Sequence, residues 1–313
     1  PTTPLINIAD PEGEIALCTL AAFNLGALTL DDIPEMADLL VRALDELLDY
    51  QDYPVPAAEK STMYRRPLGV GVVNYAYWLA KNGMKYSDGS ANNATHKLFE
   101  RIKYSLMDAS NRLAQEKGAC PGFHETKMAK GILPIDTYKR DIDTIVDNRL
   151  YCDWEALRAR ILKYGVRNST VSALMPSETS SQISNSTNGI EPPRGLVSVK
   201  QSKDGVLKQA VPELERLRDA YELLWDMPSN TGYINLVGIM QKFIDQTISA
   251  NTNYDPAKYP GGKVPAFEVI KDLIHGYKMG VKTWYYHNTR DGSDDGSTKG
   301  TPTSSAPAVL PPI

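Results

Sequence analysis

The chain has 313 residues, enough for two ordinary domains or one large α/β unit. Its 34 Lys and Arg against 38 Asp and Glu leave a net charge of −4, so there is no overall basic field for a nucleic-acid backbone. A hydrophobic share of 42% with 23% charged residues excludes a wholly disordered or collagen-like chain.

From the N-terminus, Pro1-Thr2-Thr3-Pro4 lacks the layout of a signal peptide, and no apolar run reaches the roughly 18 residues of a membrane span, so a soluble, cytoplasmic protein is expected. Ile33, Met36, Leu39, Leu40, Ala43, Leu44, Leu47 and Leu48 recur at helical spacing behind Asp31-Asp32 and Pro34, which predicts a capped amphipathic helix. A short β-branched stretch at 70–73 precedes a helix that stops at Asn82-Gly83. Leu98, Ile102, Leu106, Ala109 and Leu113 mark a longer helix closed by Gly118, and Asp153 caps another that ends at Gly165. Residues 166–174 read as a buried strand, followed over 176–187 by a loop dense in Ser, Thr and Asn. Segments 196–199 and 206–211 flank an Asp204-Gly205 turn as a hairpin. Helices are expected at about 212–226, 234–250 and 265–279, then a strand at 281–286. The tail from Gly292 is rich in Gly, Ser, Thr and Pro and is expected to be flexible.

Within this frame, Ser177, Thr179, Ser180 and Ser181 follow a predicted strand, where hydroxyls and free backbone N–H groups at a helix start suit phosphate oxygens, with Pro176 at the approach. The plainer alternative is an N-capped turn, and Glu178 must point away from any anion or meet a cation. Cys18 sits in the apolar stretch 15–24, where a free thiol usually packs as a small hydrophobe. Cys120 and Cys152 read as structural, and the three cysteines, far apart and in no C-x-x-C pair, indicate neither a disulfide framework nor a structural zinc site. Tyr285-Tyr286 suggests electron transfer, yet 17 tyrosines in 313 positions yield about one such pair by chance. His96, His124, His275 and His287 are too scattered for a metal site and read as surface or helix residues, so no metal is expected. Asp31-Asp32 and Glu213/Glu215 read as caps or solvated faces.

Taken together, the motifs resemble the C-terminal half of the large catalytic subunit of class I ribonucleotide reductases. Trp154-Glu155-Ala156-Leu157, Gly165-Val166-Arg167-Asn168 and Ser172-Ala173-Leu174-Met175-Pro176 are similar to the family's signature. Around them stand Gly13-Glu14-Ile15-Ala16-Leu17-Cys18, Tyr86-Ser87-Asp88-Gly89-Ser90-Ala91-Asn92-Asn93, Pro176-Ser177-Glu178-Thr179-Ser180-Ser181-Gln182, Asn188-Gly189-Ile190-Glu191-Pro192-Pro193-Arg194-Gly195 and Trp284-Tyr285-Tyr286. The resemblance implies an α/β fold, the second half of a ten-stranded α/β barrel with a C-terminal α/β segment over 1–292, then a flexible tail over 293–313. It implies that Cys18 is a redox thiol oxidised to a disulfide as the ribose 2′-position is reduced. Pro176, Ser177, Glu178, Thr179 and Ser180 would hold the substrate diphosphate. Tyr285 and Tyr286 would relay an oxidising equivalent to the active-site cysteine. Because neighbouring residues of a regular strand face opposite sides, the strand expected at 281–286 should end or bend at this pair.

The same resemblance places the family's thiyl-radical cysteine, its neighbouring asparagine and glutamate, and the disulfide partner of Cys18 upstream of Pro1. A naturally split subunit of bacterial or bacteriophage origin is therefore expected, its N-terminal fragment a separate chain. The implied partners are that fragment, a small subunit carrying a metal-dependent radical, thioredoxin or glutaredoxin as dithiol reductant, and a ribonucleoside diphosphate. Family members usually end in a cysteine pair that relays electrons, and residues 292–313 contain none. The alternative is a non-catalytic nucleotide-binding or assembly module derived from the barrel.

Overall fold

The computed structural model describes residues 13–202 and 205–290. Strand β1 (Thr19–Asn24) lies parallel to β2 (Leu68–Val73), with Thr19 opposite Leu68 and Asn24 opposite Val73. The crossover that parallel strands need is supplied by α1 (Ile33–Tyr50) and α2 (Pro56–Arg65). Helix α1 buries Ile33, Ala37, Val41, Leu44 and Leu48, while Leu39 and Leu47 face outwards. Its expected acidic cap differs in detail: the Asp32 carboxylate turns back to accept from Thr29 N (2.7 Å) and Thr29 Oγ1 (2.6 Å) and leaves the helix amides alone.

After β2 the chain turns at Asn74, a left-handed residue with φ of 72°, into α3 (Tyr75–Lys81). The long α4 (Asn92–Lys117) packs along α1 and stops at Gly118, whose φ of 86° only glycine adopts without strain. Helix α5 (Trp154–Tyr164) starts where expected, with Asp153 Oδ1 accepting from Ala156 N at 3.0 Å, and ends at Gly165.

The strand expected at 166–174 is a correction. Residues 170–174 do run parallel beside β2, with Leu68 N donating to Thr170 O and Val70 N to Val171 O, both at 2.9 Å. Their other edge meets the segment after α8, where Leu174 N donates to Thr247 O and Ser249 N to Leu174 O. Regular pairing is interrupted because the Asp245 carboxylate takes the amides of Val171 and Ser172, each at 2.9 Å. The irregular stretch 165–169 instead ties helices together. The fully buried Asp45 of α1 accepts from Arg66 Nε (2.7 Å), Asn168 Nδ2 (3.0 Å) and Arg167 Nε (3.1 Å).

Beyond the loop lies α6 (Glu178–Ile183), then the antiparallel hairpin β3 (Val197–Ser202) and β4 (Gly205–Ala210). Gly205 belongs to β4, opposite Ser202, instead of to the expected Asp204-Gly205 turn; residues 203–204 lie outside the described ones. The helix expected at 212–226 shrinks to α7 (Leu214–Leu217) and a short turn at Leu224–Asp226. Glu213 sits at φ of 50°, its carboxylate taking the Tyr77 hydroxyl (2.8 Å), and the Tyr221 hydroxyl claims the Pro212 carbonyl (2.8 Å) that a continuous helix would use.

Helix α8 (Thr231–Gln241) ends well before the expected residue 250, because 246–249 are extended beside 172–174 and the Gln241 amide caps the Ile244 and Gln246 carbonyls, both at 3.0 Å. Next come β5 (Asn251–Tyr254), α9 (Ala266–Lys278) and β6 (Tyr286–Thr289), with β6 parallel to β5. The last strand therefore begins at Tyr286 instead of ending there. Residues 281–285 are held otherwise: the Lys282 ammonium binds the carbonyls of Ile244, Asp245 and Gln246, and Trp284 packs on Gly276 of α9. The tail expected at 292–313 lies outside the described residues.

Five extended segments thus stand side by side, parallel and in chain order: β1, β2, 170–174, 246–254 and β6. Side chains alternate across them. Phe23, Leu68, Val70, Val72 and Leu174 point to the helices and are almost wholly buried with Phe99, Ile102 and Leu106 of α4. Among the described residues no helix is long and apolar enough to cross a membrane.

Candidate active site

The opposite side of the strands carries the candidate residue Cys18. Gly69 and Gly71 leave β2 bare there. A methyl group on Gly69 would come within 2.5 Å of Cys18 Sγ and 2.7 Å of Leu20, and one on Gly71 within 2.7 Å of the Ala173 carbonyl. Cys18, Leu20, Ala173 and Met175 therefore share this surface, and Leu20 is 48% exposed on it. Cys18 stands immediately before β1, half-buried, with the thiol in the notch left by Gly69. Burial pushes this thiol up, while a hydrogen bond from the Gln246 side-chain amide (3.4 Å) pulls it back towards thiolate. The expectation that Cys18 packs as a core residue is thus corrected: alternation turns it away from the core.

The hydroxyl-rich loop leaves the far end of the third segment. Ser177 is buried and does not cap α6, its hydroxyl lying 3.4 Å from the Met175 carbonyl; the capped-turn alternative is not what forms. Pro176, Glu178, Thr179 and Ser180 are exposed. The loop is fastened at both ends. Ser177 N donates to Asn188 Oδ1 at 2.8 Å. Asn74 exchanges two bonds with Thr187, 2.9 Å to its carbonyl and 3.0 Å from its amide, and donates to Asn24 Oδ1 at 3.0 Å. Asn24 and Asn74 thus join the C-terminal ends of β1 and β2 to the loop, the end of a parallel sheet where ligand sites gather.

Tyr285 and Tyr286 lie with ring centroids 4.2 Å apart at an interplanar angle of 54°, each about half exposed. The backbone solves the problem of two adjacent residues sharing a side by starting the strand between them: Tyr285 N donates to Ala250 O (2.9 Å) and Tyr286 N to Asn251 Oδ1 (3.0 Å). The Tyr285 phenol is pushed up, chiefly by its hydrogen bond with Tyr286 and also by the charge of Glu178 in the loop. A second link runs from Tyr286 through Asn251 to the Glu191 carboxylate, which burial holds above the usual range. Loop and tyrosine pair are therefore neighbours, and Cys18 connects to them through the 245–249 segment.

The other cysteines are structural. Cys120 is buried and Cys152 half-buried, and burial pushes each thiol up to about 11. His96, on α4, is buried 2.9 Å from Lys242 Nζ and pushed down to about 4 by burial and that ammonium. His287, on β6, is exposed as a surface residue should be, with Nδ1 2.6 Å from Thr252 Oγ1. Among the described residues no three His, Cys, Asp or Glu side chains converge as a metal site. Sequence reasoning missed Asn24, Asn74, Asp245 and Gln246. The first two carried a readable signal, a polar amide at the end of an apolar strand; the last two carried none, sitting inside a predicted helix.

A parallel α/β half-barrel with a thiol on its open surface and a tyrosine pair beside a hydroxyl loop defines a class. The model of the ribonucleotide reductase barrel domain matches residues 5–287, and the chain belongs to that family. It is 66% identical over 296 residues to the ribonucleoside-diphosphate reductase subunit alpha of Haemophilus influenzae, covering 94% of this chain and 39% of that protein. Identity to the ribonucleoside-diphosphate reductase 1 subunit alpha of Escherichia coli is 69% over 248 residues, or 79% of this chain and 33% of that one. To the corresponding subunit alpha of Enterobacteria phage T4 it is 52% over 295 residues, covering 93% and 39%. The chain spans about 39%, or less, of the length of these curated relatives.

Proposed function

We propose that this chain supplies the C-terminal part of a reductase barrel that converts ribonucleoside diphosphates to deoxyribonucleoside diphosphates for DNA synthesis in the cytoplasm. The observation that carries this reading is the Cys18 sulfur in the Gly69 notch, turned to the open side of the strands and not into the packed core. Cys18 and a second thiol, supplied by an N-terminal fragment, give up two electrons and two protons and become a disulfide. The ribose 2′-hydroxyl leaves as water and its carbon is reduced. The Pro176–Ser180 loop binds the diphosphate through the Thr179 and Ser180 hydroxyls and the amides that open α6, while Ser177, its own amide given to Asn188, holds the loop in place. Tyr285 and Tyr286, half exposed, are reachable by a small subunit whose metal-dependent radical supplies the oxidising equivalent. Thioredoxin or glutaredoxin returns the disulfide to dithiol.

The outer edge of β1 has no strand partner among the described residues, and Leu20 beside it is exposed, which suits closure by the fragment's own strands. Reconstitution tests the reading. This chain, the N-terminal fragment, the small subunit, a nucleoside diphosphate and a dithiol should together give deoxynucleotide, and Cys18→Ser should abolish turnover. Absence of product from the assembled complex would favour the non-catalytic module instead.

A further inference from the structure

We propose that Gln246 is a positioning residue for Cys18, its side-chain amide holding the sulfur at the head of β1 and favouring the thiolate. The inference rests on the reading of Cys18 as a redox thiol, but its geometry stands independently. Gln246 Nε2 is fixed by a 2.8 Å bond to the Leu68 carbonyl, the first residue of β2, and from there donates to Cys18 Sγ at 3.4 Å. Its backbone is no less constrained: Gln246 N donates to Ser172 O and to Asp245 Oδ1, and its carbonyl accepts from Lys282 Nζ and the Gln241 amide. With the residue only 9% exposed, the amide has little freedom to leave the sulfur.

Among the described residues, the other groups around the thiol do not favour a charged sulfur. Leu20, Gly69 and Ala173 crowd the notch and bring no charge. The Asp245 carboxylate, paired with Lys103, works against a thiolate, and the Lys282 ammonium is spread over the three carbonyls of residues 244–246. Gln246 is the side chain that donates a hydrogen bond to this sulfur, and a donor to a sulfur gains strength as the sulfur becomes anionic. It therefore does what burial undoes, keeping a buried cysteine exchangeable.

Alkylation of the full chain by iodoacetamide across pH reads this directly, because only thiolate reacts. Gln246→Met keeps length and bulk but loses the donor. Cys18 should then react about tenfold more slowly near pH 8, its profile moved about one unit to higher pH. Cys152 serves as internal control and should be unchanged. Gln246→His, which can place a ring N–H where the amide was, should recover part of the loss. An unchanged or faster Cys18 in Gln246→Met, or equal slowing in Met and His variants, would overturn the proposal; so would joint acceleration of Cys18 and Cys152, the mark of mere loosening. Failure of the redox reading shows elsewhere, as normal turnover in Cys18→Ser, and leaves the alkylation result untouched.

Discussion

The two sides of the same five strands are built on opposite principles. Towards the helices, Leu68, Val70, Val72 and Phe23 are sealed to 2% exposure or less, and even the charged groups there are paired, Asp45 with Arg66 and Asp245 with Lys103. On the other side β2 offers glycine at 69 and 71, Leu20 is half in solvent, and the thiol placed there rests on a side-chain amide. Stability comes from one side and, in the function proposed, chemistry from the other, so a substitution should report which side it touches.

The largest effect is expected at Asp245. Asp245→Ala removes the acceptor of Val171 N and Ser172 N and leaves the buried Lys103 ammonium unpaired, which should cost about 3–5 kcal/mol in denaturant unfolding. Burial opposes the Asp245 charge, but Lys103 and the two amides outweigh it and hold the carboxyl below its ordinary range. Its stabilisation is therefore present above the unfolded value of about 3.9 and lost as pH falls through the lower folded value. In wild type, stability should fall steeply below about pH 4, and the Asp245→Ala chain should lack that part of the slope. A loss under about 1 kcal/mol would break the contrast between the two sides.

An intermediate effect is expected at the glycine notch. Gly69→Ala drives a methyl group against Cys18 Sγ and Leu20, and about 1–3 kcal/mol of overpacking should follow. Cys18 alkylation should change with it while Cys152 holds constant. The smallest effect belongs to Leu20→Ser: on a surface already half wet, stability of the chain should move by no more than about 0.5 kcal/mol, whereas association with the N-terminal fragment proposed above should weaken. Equal destabilisation by Leu20→Ser and Asp245→Ala would mean that the open side is not open.

Much of this was legible because local chemistry dictated it. Helices α1, α4, α5 and α9 followed from apolar spacing, Asp153 and the closing glycines. What the sequence hid was competition from afar. The 170–174 ladder is broken by a carboxylate more than seventy residues away in the chain, and α8 ends early because residues 246–249 are wanted beside Ser172 and Leu174. For the site, the resemblance pointed to Cys18, the loop and the tyrosine pair. The glycine notch and Gln246 became visible only when β1, β2 and residue 246 were brought together. The tyrosine pair shows the same limit: the sequence called for a break in the strand at the pair, and only the structure shows that the strand starts at Tyr286 and runs on from it.

The asparagine chain from Asn24 through Asn74 to Thr187 bears on the thermodynamics of recognition. A loop pinned at Ser177 by Asn188 and at Thr187 by Asn74 has lost most of its conformational freedom during folding. A diphosphate bound at α6 as proposed would meet donors whose ordering entropy is already spent, and more of each new hydrogen bond would appear as affinity. Severing Asn74 would leave every loop donor in place and still weaken binding, through the entropy the ligand must then supply.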